Sequence, residues 1–216
     1  MAQPSGAALL PGERRVVASL AAIYAVRLLG LFLLLPVLAL HADSLPGATP
    51  LLAGLAVGAY GLTQALVQIP FGAWSDRVGR KPVIAVGLVL HVAGSLLGAA
   101  AGSAASLVLA RIVQGLGAVS GPVMAFLADL TRPESRTRAM FAIGLCIGAA
   151  FAVSLVAGPL LASAIGVRGV FLVIGALGLL ALALVAFALP AEPAARRGRQ
   201  AVCFHAVLTP RLLPHY

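Results

Sequence analysis

Two arginines, Arg27 and Arg111, lie inside long apolar stretches and apart from every other charged residue. An arginine at the centre of a bilayer costs about 2.5 to 3.5 kcal/mol on insertion scales, so it normally faces a bundle interior or a water-filled cavity. This pattern is typical of a substrate or proton path. The alternative is that either side chain snorkels to the membrane surface or makes a purely structural pair.

Three glutamines occur in the same kind of surroundings. Gln64 and Gln68 are four residues apart and therefore share one helical face, and Gln114 follows Arg111 by three residues. Together with the arginines, these amides would form a polar lining for a central cavity. Hydrogen bonding between helices would explain them equally well.

Other titratable residues allow weaker interpretations. Asp43 follows the first apolar stretch, where it either takes part in proton coupling or remains a solvated acid in an outer turn. His91 is alone in another apolar stretch, and a structural histidine is commoner there than a proton carrier. Since no nucleophile, base or metal-ligand spacing is recognisable, we expect no enzyme activity, no metal and no cofactor.

A run of charges separates two of the apolar stretches. The run Gly72-Ala-Trp-Ser-Asp76-Arg77-Val-Gly79-Arg80-Lys81 contains four charged residues in six positions. Uncovered turn backbone and unpaired charge are both costly in hydrocarbon. The run therefore predicts a short loop at the membrane surface between two membrane helices.

The composition identifies the solvent that must surround these elements. Of the 216 residues, 61% are hydrophobic and only 10% are charged, and the mean hydropathy is +1.06. Such a chain has the lipid bilayer as its partner. The net charge of +9 does not indicate nucleic-acid binding, because the basic residues stand at helix ends and do not form one basic face.

Apolar windows of about 20 residues predict an all-α membrane protein with six transmembrane helices. The predicted spans are 16–40, 51–74, 82–102, 104–130, 139–165 and 167–189. The first is too long for the apolar part of a cleaved signal peptide. Small residues are expected to let neighbouring backbones approach closely, notably Gly54, Gly58, Gly61, Ala65, Gly115, Gly117 and Gly121.

Positive charge is concentrated on one side of the predicted membrane. Twelve of the fifteen basic residues precede the first span, follow the sixth, or lie in the turns after the second and fourth spans: Arg14, Arg15, Arg77, Arg80, Lys81, Arg132, Arg136, Arg138, Arg196, Arg197, Arg199 and Arg211. The opposite turns contain only Arg168. By the positive-inside rule, both termini are predicted to be cytoplasmic.

Two motifs now support a resemblance to a family. Gly72-x-x-x-Asp76-Arg77-x-Gly79-Arg80-Lys81 resembles the signature loop between helices 2 and 3 of the major facilitator superfamily, and Arg111-x-x-Gln114-Gly115-x-Gly117 is similar to its helix 4 motif. Gly148 with Gly158-Pro159 resembles the helix 5 motif of the drug/proton antiporter branch, although Ala162 and Ser163 replace its usual trailing glycines. Further stretches, among them Glu13-Arg-Arg and Asp129-Leu-Thr-Arg, resemble the YajR-like branch of efflux transporters.

The resemblance implies roles for individual residues. Asp76 would meet a helix N-terminus of a second half and help to hold the outward-facing state, while Arg80 would pair with Asp129. Gly72 and Gly79 would allow close approach at the helix end, and Arg77 and Lys81 complete this conformational latch. Arg111 would take part in proton coupling.

The resemblance also implies an architecture and a function. The superfamily has two six-helix halves, each built from two inverted three-helix repeats. Residues 16–189 would be the N-terminal six-helix bundle, after a cytoplasmic N-terminus (1–15) and before a linker (190–216) toward a missing helix 7. The expected function is that of half of a proton-coupled multidrug efflux antiporter. It would move small, lipophilic solutes by alternating access in the bacterial inner membrane, with protons and a C-terminal half as partners.

One alternative stays open. The chain could be a six-helix membrane scaffold or partner subunit without transport activity of its own.

Overall fold

The computed structural model describes residues 10–117 and 119–189, and every regular element in these two ranges is helical. Seven α-helices and one 3-10 turn follow each other along the chain: α1 (Pro11–Leu34), α2 (Leu38–Asp43), α3 (Pro50–Val78), α4 (Arg80–Ala100), α5 (Ala104–Leu116), α6 (Ser120–Leu130), the turn Pro133–Ser135 and α7 (Arg136–Phe187). The linker predicted at 190–216 and the first nine residues lie outside the described ranges.

By length and composition, five helical units of the described chain are suited to cross a membrane, one fewer than expected. The difference lies in the last unit, Pro133–Phe187, whose 55 residues would extend for about 80 Å and so exceed twice the hydrocarbon thickness. Gly166, with φ 72°, breaks α7 into a first arm (136–165) and a second arm (167–187). A positive φ is readily adopted by glycine because it has no Cβ.

The two arms of α7 run in opposite directions through two apolar clusters. The first cluster contains Ala139 of the first arm and Val185 of the second, whereas the second cluster contains Phe171 and has Leu161 packed against it. The first arm therefore leads from one end of the bundle to the other, and the second arm returns. This reversal yields the sixth crossing that the sequence predicted.

Two other predicted spans are interrupted. The span 16–40 is divided between α1 and α2, because Pro36 lacks a backbone donor and restricts the residue before it. The span 104–130 is divided after Leu116, where Gly117 leaves the helical conformation. In addition, α1 begins at Pro11, five positions before the predicted start, with proline at the position where its missing N–H matters least.

The predicted charged loop is reduced to a single residue. Gly79, with φ 114°, alone separates α3 from α4. Asp76 and Arg77 therefore belong to the last turn of α3, and Arg80 and Lys81 to the first turn of α4. The charged side chains project from two helix ends that are held close together.

Candidate functional site

Arg27 connects three elements in the interior of the bundle. Its side chain in α1 is 1% exposed. Its Nη2 atom donates to Tyr60 Oη at 2.8 Å and to Gln64 Oε1 at 3.0 Å, both in α3. The same atom donates to the Gly117 carbonyl at 2.8 Å, just after α5. A side chain held in this way does not snorkel to the membrane surface, so a functional path and a structural pair remain as explanations for Arg27.

Arg111 forms a second set of contacts beside the first. Its Nε donates to the Ala56 carbonyl at 3.1 Å, and its Nη1 donates to Gln114 Oε1. The amide nitrogen of Gln114 in turn donates to Ser95 Oγ of α4 at 2.9 Å. Gln114 thus holds Arg111 on one side and α4 on the other.

Tyr60 joins the two sets. Its hydroxyl accepts from Arg27, and its ring centroid lies 4.8 Å from the guanidinium carbon of Arg111, which is a cation–π contact. Tyr60 was not among the candidate site residues identified from the sequence. Tyr60 precedes Gln64 by one helical turn and so lies on the same face of α3. We refer to Arg27, Tyr60, Gln64, Ser95, Arg111 and Gln114 as the interior polar network.

His91 borders this network. It is fully buried in α4, and its ring centroid lies 6.5 Å from that of Tyr60. Neither of its ring nitrogens has a hydrogen-bond partner among residues 10–117 and 119–189. The sequence favoured a structural histidine at this position, and the structure adds that the buried ring lacks hydrogen bonds within the described ranges.

Small residues permit this close arrangement of helices. A Cβ atom at Gly115 would lie 2.6 Å from the Tyr60 carbonyl oxygen, and one at Gly117 would collide with the Gly87 carbonyl of α4. Gly158 in the first arm of α7 similarly meets the Leu33 carbonyl. A side chain at Gly115 or Gly117 would therefore push apart the helices that carry the network.

Other glycines that were expected to pack closely do not approach a neighbouring helix of the described chain. A Cβ at Gly148 would meet nothing within 4 Å in the described chain, and the same is true of Gly54, Gly58 and Gly61. Their helix faces point away from the neighbouring helices, so the expected close packing is absent there within this chain. Pro159 is exposed within α7.

One candidate lining residue, Gln68, and one candidate for proton coupling, Asp43, lie apart from the network. Gln68 is half-buried next to Gly121 of α6, whose Cβ would lie 3.5 Å from the Gln68 carbonyl oxygen. Asp43 is exposed at the end of α2, and none of the ion pairs among the described residues includes it. The structure does not bring either side chain to the arginines.

Arg80 occupies the centre of a second polar cluster, at the junction of α3 and α4. Its guanidinium forms an ion pair with Asp76, and its Nε lies 3.4 Å from Asp129 Oδ2 at the end of α6. A further bond runs from its Nη1 to Ser75 Oγ. The pairing of Arg80 with Asp129 that the family resemblance implied is thus present.

The remaining residues of the charged motif have different surroundings. Lys81 Nζ donates to the carbonyls of Ala186 and Leu189 at 3.2 and 3.1 Å, where it stabilises the end of α7. Arg77 is exposed. A Cβ at Gly72 would meet nothing within 4 Å, so the close approach expected there is absent within the described chain.

An unexpected acid joins the start of α1 to the turn after α6. Glu13 is 8% exposed and accepts from the Arg132 backbone N–H at 3.0 Å, from Arg132 Nε at 3.1 Å and from Ser135 Oγ at 3.0 Å. The Glu13 carboxylate raises the pKa of Arg132. The available sequence signal was an acid two positions after a proline, which is typical of a helix N-terminus.

Comparison with known proteins accounts for this arrangement. Residues 20–211 match the Major Facilitator Superfamily. The inner membrane transport protein YajR of Escherichia coli (strain K12) is 44% identical over 182 residues, which are 84% of this chain and 40% of YajR. The tetracycline resistance protein, class E, of E. coli is 34% identical over 113 residues, which are 50% of this chain and 26% of that protein.

Solved structures show the same architecture. The human organic anion transporter MFSD10 superposes with a TM-score of 0.75 at 24% sequence identity, covering 87% of this chain and 50% of that chain. This likeness confirms the predicted fold class, half of a major facilitator fold. The chain spans 40% of the length of its YajR relative. On the extent of the family match and this identity, the chain belongs to the major facilitator superfamily, whose members are membrane transporters and not enzymes.

Proposed function

We propose that this chain is the N-terminal half of a proton-coupled efflux antiporter that moves small, lipophilic solutes by alternating access. The observation that carries the proposal is the interior polar network, in which two buried arginines connect α1, α3, α4 and α5 at the centre of an apolar bundle. Charged groups at such depth are costly and usually serve a transport path. One relative is a tetracycline resistance protein, and export of a drug is one way to produce resistance. This similarity supports efflux as the direction of transport.

Proton coupling is assigned to the same network. A buried guanidinium such as that of Arg111 favours the charged form of a nearby acid and orders water around it. Among the described residues, no acid contacts Arg27 or Arg111 through an ion pair. In this proposal the titrating acid is therefore supplied by the C-terminal half, and Asp43 is a secondary candidate only if the chain rearranges.

The Arg80 cluster is assigned the role of a conformational latch. Its contacts with Asp76 and Asp129 connect the ends of α3, α4 and α6. Contacts present in one state and broken in another bias the equilibrium by the difference in their free energies. Asp76 is 43% exposed, which leaves its carboxylate accessible to a helix N-terminus of a second half.

The proposed setting is the bacterial inner membrane, as for the YajR relative, with both termini in the cytoplasm. The distribution of basic residues supports this orientation.

Complementation tests the proposal against the scaffold alternative. The chain is expressed alone and together with the C-terminal half of E. coli YajR, and everted vesicles are assayed for proton-driven accumulation of a lipophilic dye. We expect transport only from the pair. Transport by the chain alone would overturn the half-transporter assignment, whereas an assembled pair that moves neither dye nor protons would favour the scaffold.

A further inference from the structure

The guanidinium of Arg27 has more donors than the bundle uses. A guanidinium carries five N–H groups, two of them on Nη2. All three described acceptors, Tyr60 Oη, Gln64 Oε1 and the Gly117 carbonyl, are bonded by Nη2. Nε and Nη1, with three N–H groups between them, have no partner in the described part of the chain.

Within residues 10–117 and 119–189, no acid compensates the charge of Arg27 either. The described chain contains five acids, namely Glu13, Asp43, Asp76, Asp129 and Glu134. The ion pairs of Arg80 and Arg132 lie outside the interior polar network, and neither Arg27 nor Arg111 takes part in an ion pair within the described ranges. Arg111, the neighbouring cation, adds a second positive charge on the other side of Tyr60. Two buried cations with neutral partners create a strongly positive interior.

Apart from the interior polar network and His91, the neighbours of Arg27 along α1 are apolar or aromatic. Tyr24 and Leu28, its neighbours in α1, belong to the first apolar cluster, and Leu31 packs against that cluster. On the α3 side, Gln64 is only half-buried, and Gly61 faces open space. Arg27 itself is buried, so a ligand would have to displace Gln64 to bring a charged group to the guanidinium, and an apolar body attached to that group would then contact α1.

From these contacts we infer that Arg27 binds the carboxylate of an organic anion, so that the solutes of this transporter include carboxylates carried on an apolar body. The inference rests on the proposed transport function and specifies the substrate class of the same site. Charge-assisted hydrogen bonds from Nε and Nη1 to a carboxylate would satisfy the unused donors and neutralise the buried charge. Within this half, a neutral ligand would leave the charge of Arg27 unbalanced.

Equilibrium binding of two matched probes to the chain in lipid nanodiscs tests this inference. The probes are 2-naphthoate and its neutral analogue 2-naphthamide, measured by fluorescence at neutral pH. We expect naphthoate to bind about tenfold to a hundredfold more tightly, because hydrogen bonds to charged groups are the stronger ones. This comparison needs no substitution, so it does not depend on whether a variant folds.

Variants then locate the site. Arg27→Gln is expected to abolish the preference for naphthoate, and Arg27→Lys to retain part of it, since the lysine keeps the charge but loses the planar fork. Arg168→Gln is the matched control, because it removes an exposed positive charge away from the network. It is expected to leave both affinities unchanged.

The outcomes separate the two proposals. Equal binding of the two probes, binding of neither, or an unchanged naphthoate preference in folded Arg27→Gln would overturn the anion site. A naphthoate preference that depends on Arg27, in a chain that does not support transport with its complement, would overturn the transport proposal and leave the anion site in place.

Discussion

At the scale of single residues, Tyr60 contributes to the stability of the bundle through two contacts that can be tested separately. Its hydroxyl satisfies one donor of Arg27, and its ring faces the guanidinium of Arg111. The hydroxyl contact is polar and depends on one atom, whereas the ring contact depends on the aromatic face. Substitutions can remove the first contribution without the second.

Tyr60→Phe should therefore lower the free energy of unfolding by only about 0.5 to 1.5 kcal/mol, because Gln64 and the Gly117 carbonyl still accept from the two N–H groups of Nη2. Tyr60→Leu should cost more, since it also removes the ring beneath Arg111. Thermal or SDS-induced unfolding of the purified chain measures both. Equal losses for the two variants would mean that the ring contact contributes nothing.

At the scale of the elements, glycines determine how closely the helices approach. The α3 and α5 backbones meet at Gly115, where a Cβ would lie 2.6 Å from the Tyr60 carbonyl oxygen. A Cβ at Gly61 in α3 would meet nothing within 4 Å in the described chain, although this glycine was expected to pack in the same way. Glycine spacing therefore predicts that some packing occurs, but it does not identify the residues involved.

Gly115→Ala should destabilise the bundle strongly, since the obstructing oxygen belongs to the α3 backbone and must move with its helix. Gly61→Ala is the matched control and should be neutral or stabilising by up to about 1 kcal/mol, as alanine is the better helix former. Melting temperatures in detergent provide the comparison. A larger loss for Gly61→Ala than for Gly115→Ala would contradict the arrangement of α3 and α5.

At the scale of the whole molecule, the role proposed for the Arg80 cluster concerns conformations that involve a second half. Its ion pairs lie at a helix junction and are partly exposed, so they contribute little to stability. Their proposed importance lies in the difference between two conformations. A substitution should therefore alter transport more than folding.

Asp76→Asn, in the chain supplied with its complementary half, should reduce proton-driven efflux while leaving membrane insertion intact. The substitution removes the charge that pairs with Arg80 and keeps the shape of the side chain. Glu134→Gln, a change at an exposed acid in the turn after α6, is the control. Undiminished efflux by Asp76→Asn in everted vesicles would exclude the latch.

Orientation in the membrane is also a property of the whole molecule. In a background where Cys146 and Cys203 are replaced by serine, Ser44→Cys should react with a membrane-impermeant maleimide in intact cells, because it follows α2 on the proposed outer side. Glu134→Cys should react only after the cells are permeabilised. The reverse pattern would place the termini outside the cytoplasm.

The amino-acid sequence determined the properties that depend on neighbouring residues. Six crossings and the buried setting of Arg27 and Arg111 follow from local hydropathy, since about 20 apolar residues suffice to span the bilayer. The sequence also suggested, from the family resemblance, that Arg80 pairs with Asp129. The sequence did not predict the break between α1 and α2 or the reduction of the charged loop to Gly79, because a single residue determines each interruption.

Only the tertiary structure decided which polar groups meet. Arg27 bonds Tyr60, 33 residues away, and the carbonyl of Gly117, 90 residues away. The tertiary structure also shows that Gln64 contacts Arg27 whereas Gln68 does not, and that Asp43 is exposed. Helical periodicity places residues on a face, but the packing of the helices determines what that face touches. The donors of Arg27 that lack a partner in the described chain, on which the proposed anion site depends, are recognised only from the positions of the surrounding acceptors.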